Sequence, residues 1–81
     1  MPPSNEILHA RIYAIIPQNG YISASVIADL YEARFHTPIS VKKCSLILEE
    51  LKADGLILMR KKRRNWGFLA TYGHDDPEEN P

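Results

Sequence analysis

The chain has 81 residues, ten basic and ten acidic side chains, 44% hydrophobic residues and a mean hydropathy of −0.28. That length specifies one domain and excludes a large multidomain enzyme. A chain this short buries only about 60% of the surface its unfolded form exposes, which leaves little apolar material to line a deep substrate cavity. The single Cys44 excludes an internal disulfide, and His9, His36 and His74 are too scattered to build a zinc framework with it. No metal or other cofactor is expected. No apolar run approaches the roughly 20 residues that span a bilayer. Met1 to Glu6 lacks the basic-then-apolar pattern of a leader. The expected location is the cytoplasm, with no membrane partner.

Taken in chain order, Ser4 or Asn5 can cap a first helix in which Leu8, Ile12, Ile15 and Ile16, with Ile7 beside them, recur at steps of three and four. Pro17 ends it, and Asn19-Gly20 is a turn pair that leads into a very short extended piece at Tyr21-Ile22. Ser23 caps a second helix with Val26, Ile27, Leu30, Tyr31 and Phe35 on its apolar stripe, stopped at Thr37-Pro38. Ser40 caps a third, in which Val41, Cys44, Ile47, Leu48 and Leu51 share a face and Gly55 supplies a left-handed stop. Cys44 on that stripe reads as a small buried hydrophobe rather than a nucleophile.

Beyond Gly55 the period changes. Leu56 to Met59 is a short apolar run, and Trp66, Phe68, Ala70 and Tyr72 alternate with Gly67, Leu69 and Thr71, the pattern of a two-stranded hairpin. The run Arg60-Lys61-Lys62-Arg63-Arg64 is expected at the hairpin tip, and Trp66 and Tyr72 are expected to complete the core. Residues 1–59 carry five basic and six acidic side chains, so the zero net charge hides a five-charge basic run and an acidic tail, Asp75 to Glu79. Residues 1–73 read as the domain and 74–81 as an acidic, disordered tail. Folding of that tail onto Arg60–Arg64 would compete with nucleic acid, and deleting 74–81 should then tighten DNA binding, most at low salt.

Helix, short strand, two helices and a hairpin form the order of the winged helix-turn-helix superfamily, which the stretch Ile22 to Tyr72 resembles. The likeness is clearest in Leu51-Lys52-Ala53-Asp54-Gly55-Leu56-Ile57, which is similar to the junction of helix three and wing in many bacterial regulators. Size and the aromatic last strand Trp66-Gly67-Phe68-Leu69 resemble the small one-domain regulators of pilus operons. The connection His36-Thr37-Pro38-Ile39-Ser40 is longer and more proline-bound than the usual helix-turn-helix turn. The resemblance implies an α+β fold of three helices plus a C-terminal two-stranded wing. It also implies a transcription regulator that places helix three in the major groove of double-stranded DNA.

On that basis Lys42, Lys43, Ser45 and Leu46 are the candidate contacts on helix three, with Leu46 suited to a thymine methyl. Arg60, Lys61, Lys62, Arg63, Arg64 and Asn65 are the candidates on the wing, where five successive cations suit a phosphate backbone or a narrow minor groove. The plainer readings are a solvated helix face and a charged hairpin that discourages edge pairing. Glu49 and Glu50 on the supposed reading face would repel phosphates, and with exposed Leu46 they keep open a protein-interaction module, a small inhibitor or assembly factor. RNA or ribosome binding is a third reading. His9 and Tyr13, four apart, read as a solvated pair or part of a homodimer contact. No phosphate loop, catalytic carboxylate pair or Ser-His-Asp arrangement is present, so no enzyme is expected.

Overall fold

Each helix begins one residue after a serine whose hydroxyl turns back to accept an amide proton that the helix leaves unpaired. In the computed structural model, which describes residues 4–74, these are α1 (Asn5–Ile15), α2 (Ala24–Phe35) and α3 (Val41–Ala53). Ser4 Oγ accepts from the Ile7 amide, Ser23 Oγ from Val26 and Ser40 Oγ from Lys43, the last at 3.0 Å. Ile16 is extended ahead of Pro17, as the proline requires. His36 ends α2 in the left-handed conformation, one residue before the expected stop at Thr37-Pro38. The end of α3 is a Schellman motif: the Gly55 amide donates to the Lys52 carbonyl and the Leu56 amide to Leu51. Gly55 sits at φ +78°, a conformation that favours glycine.

The strands are β1 (Ile22–Ser23), β2 (Leu58–Arg64) and β3 (Gly67–Gly73), antiparallel in the order β1-β3-β2. Ile22 pairs with Tyr72 and Ser23 with Thr71, so the expected hairpin is extended to a three-stranded sheet with β3 at its centre. The core joins Leu8, Ile12 and Ile16 to Ile27, Ala28 and Tyr31, to Cys44, Ile47, Leu48 and Leu51, and to Ile57 and Tyr72. Cys44 and Tyr72 are therefore buried, as the sequence pattern requires.

Several apolar residues expected inside are exposed. In α2 the packed face is Ala24, Ile27, Ala28, Tyr31 and Phe35, at steps of three and four, and Val26 and Leu30 lie about 100° round the helix in solvent. Ile7 and Val41 open α1 and α3 and are likewise exposed. Trp66 is the largest departure. It is 85% exposed, and Phe68 70%, because β3 passes from exposed at Gly67 and Phe68 to buried at Thr71, Tyr72 and Gly73. A period-two pattern implies burial that alternates across the sheet, whereas burial here changes along the strand. Among the described residues no helix covers the outer half of the hairpin.

Candidate nucleic-acid interface

The basic run is not at the hairpin tip: Arg60–Arg64 all lie within β2, and the turn is Asn65-Trp66, because Arg64 pairs with Gly67. Strand geometry then divides the charges. Lys61 and Arg63 share the face of Met59, the side packed on the helices, and Lys62 and Arg64 share the opposite face with Arg60. Across from them on β3 stand Ala70 and Phe68 on the first face, and Leu69 and Gly67 on the second. β2 is also an edge strand. A polyanion that approaches the edge meets cations on both sides of the strand.

Lys61, Lys62, Arg63 and Arg64 are exposed and have no ion-pair partner among the described residues. Two unit charges about 7 Å apart on one strand face repel by about 0.6 kcal/mol in water, less in salt. That repulsion is small enough for the fold to bear and is relieved by any bound polyanion. Edge protection would also be served by this strand, although mixed signs would do it without the repulsion. Arg60 differs from the other four, with its guanidinium 4.8 Å from the centre of the Tyr21 ring. Tyr21 in turn donates to the His74 carbonyl at 3.1 Å, which ties the root of the wing to the turn ahead of β1. His74, first residue of the expected tail, is half-buried with its ring edge-on to Tyr13. The tail from Asp75 onward lies outside the described residues.

On α3 the candidates separate. Lys42 and Leu46 are exposed, Ser45 is half-buried, and Lys43 turns toward α1, where its Nζ donates to Asn5 Oδ1 at 3.4 Å. The two glutamates are exposed, yet each is engaged by another side chain of the fold. Glu50 lies 3.5 Å from His9 Nε2, so His9 is not half of a solvated pair with Tyr13. Glu49 accepts from the Tyr72 hydroxyl at 3.0 Å and pairs with Lys52 at 3.1 Å. The hydrogen bond from Lys52, followed by that from Tyr72, holds the Glu49 carboxyl below the usual carboxylate range. Burial, reinforced by Glu49, pushes Tyr72 from 10.0 to about 12, and burial pushes the Cys44 thiol from 9.0 to about 11, where it is no nucleophile at neutral pH. The exposed face of α3 thus carries Lys42, a large apolar side chain and a clasped glutamate, while the wing carries the unpaired positive charge.

Trp66, expected in the core, and Phe68 instead stand exposed at the outer end of the wing. Seven paired residues of strand on each side put residues 65 and 66 in the turn, and no local pattern in the sequence signals how far that hairpin outruns the helices. Among the described residues no group of three or more His, Cys, Asp or Glu side chains is placed to hold a metal ion. Among the described residues no helix is long and apolar enough to cross a membrane. Three helices followed by an antiparallel hairpin, with a short strand ahead of α2 completing the sheet, form a winged-helix-like arrangement. No known protein family, curated protein or solved structure matches the chain.

Proposed function

We propose that the protein binds DNA and regulates transcription, with the wing as its principal contact and α3 beside it. The observation that supports this reading best is the charge on β2: four exposed cations with no ion-pair partner among the described residues, displayed on both faces of an edge strand. Neutralising phosphates and releasing their counterions would supply most of the affinity. Lys42 and Leu46 on the exposed face of α3 are the side chains available for base edges, Lys42 to guanine and Leu46 to a thymine methyl. So few direct readers give modest sequence discrimination from one copy, and a second copy or a protein partner supplies the second half-site.

Selection of bound duplexes from a random-sequence library tests the reading. Retention at low salt with enrichment of a short motif is expected, and failure to retain any duplex contradicts it. The second reading, a protein-interaction module, draws on Leu46, 55% exposed on a face of α3 whose neighbouring carboxylates carry internal contacts. Glu50→Lys separates the two, because Glu49 holds Tyr72 and its reversal would disturb the fold. DNA binding persists or rises in Glu50→Lys, whereas a protein interface built on that carboxylate weakens.

A further inference from the structure

The wing carries more than charge. Trp66 in the turn and Phe68 at the start of β3 are the two most exposed large hydrophobic residues of the described chain, and neither ring packs on another aromatic there. Phe68 stands directly across the strands from Arg63, about 5 Å away at the backbone, and Trp66 is two residues beyond Arg64. The outer half of the hairpin therefore carries cations along β2, with one aromatic ring across from Arg63 and a second in the adjoining turn. An uninterrupted duplex uses only half of this surface, since its phosphates meet the cations while its base faces are stacked on one another. Unpaired nucleotides use all of it, because each offers a phosphate for Lys or Arg and a free base face for an aromatic ring. The exposed face of α3, with Lys42, Leu46 and the clasped Glu49, gives a duplex little to compensate.

We propose that the wing tip binds unpaired nucleotides, with Trp66 and Phe68 as stacking platforms and Lys61, Lys62, Arg63 and Arg64 as backbone contacts, so that nucleic acid with a single-stranded segment is preferred over continuous duplex. This rests on the nucleic-acid reading above and names the ligand class of the same surface. The chemistry is shared by single-stranded DNA and RNA. Nothing in it reads the sugar, so both bind.

Trp66 is the only tryptophan of the chain, so its emission reports on the wing tip alone. The full-length protein is titrated with a 15-nucleotide oligothymidylate, an oligouridylate of the same length, and a closed-end duplex hairpin matched in phosphate number. Affinities come from anisotropy of the labelled oligonucleotides. Both single strands should quench Trp66 and bind at least tenfold more tightly than the duplex. Trp66→Ala should weaken single-strand binding by about 5- to 150-fold and leave duplex binding within twofold, and Trp66→Phe should restore most of the loss. Substitution of a turn residue that is 85% exposed leaves folding intact, which circular dichroism of each variant checks. Duplex binding as tight as single-strand binding, with Trp66 emission unchanged, overturns the stacking proposal while the nucleic-acid reading stands. Absence of binding to all three overturns both.

Discussion

Gly73 pins the root of the wing, and adding one methyl group there should loosen it measurably. A Cβ built on Gly73 would lie 2.5 Å from the Gly20 carbonyl oxygen and 3.2 Å from the Tyr21 ring. Ordinary contact begins near 3.4 Å, so about 0.9 Å of clearance must be found. The oxygen belongs to backbone, which cannot simply swing away as a side-chain end would. On the other side Gly73 pairs with Leu58 in the hairpin. The residue is thus held between two backbone segments, and the displacement must be taken by the turn ahead of β1 or by the hairpin itself. Overpacking of this kind costs about 1–3 kcal/mol. The stiffer unfolded chain returns about 0.4–1 kcal/mol of that, since the backbone at Gly73 is not one that alanine avoids. A 2.5 Å approach to backbone places the cost in the upper part of that range, so Gly73→Ala should destabilise by about 1–2.5 kcal/mol, and a domain of this size should lose roughly 4–20 °C in Tm. Thermal unfolding followed by far-ultraviolet circular dichroism measures it. An unchanged or raised Tm would refute the close approach of strand and turn, and with it the account of how the wing is anchored.

Other expectations follow from the same geometry. Ser40→Ala removes the Oγ that accepts from Lys43 and should cost about 1 kcal/mol, read as a lower urea midpoint at unchanged m. Tyr72 and Cys44 both have folded-state pKa values above their ordinary ones, so both favour folding below pH 9 and lose that contribution as pH rises toward 11 and 12. Two units at Tyr72 correspond to about 2–3 kcal/mol, so stability should fall steeply between pH 10 and 12, and a flat profile across that window contradicts the burial of these groups. Tyr72→Phe removes the proton donated to Glu49. The variant should be less stable by about 1 kcal/mol, with the Glu49 carboxyl titrating at higher pH in NMR spectra.

The three helices were legible because their signals are local. Serine caps, Pro17 and Gly55 act over three or four residues, and the stripe of Cys44, Ile47, Leu48 and Leu51 fixes which side of α3 is buried. What the sequence could not show depends on the extent of one element relative to another. Val26 and Leu30 fit an apolar stripe as well as Ala24 and Ala28 do, and only the docking of α1 and α3 decides which face is covered. The wing posed the same difficulty. Its alternation was readable, but how far the hairpin extends past the helices was not, so Trp66 was assigned to the core and the cations to the turn. The clasp of Glu49 by Tyr72 joins residues 23 positions apart and has no local signature.

The salt dependence of binding to a random-sequence DNA duplex, measured by fluorescence anisotropy for the wild type and for Arg63→Ala/Arg64→Ala, decides whether the wing meets the phosphate backbone. Lys61, Lys62, Arg63 and Arg64 flank the edge strand from both sides. A phosphate backbone laid along that edge engages all four, and log affinity should fall with log salt at a slope of about −3.6. The double substitution takes one cation from each face and should reduce the slope to about −1.8. No binding at low salt, or a slope that the substitution leaves unchanged, contradicts the assignment of the wing as the contact with duplex DNA.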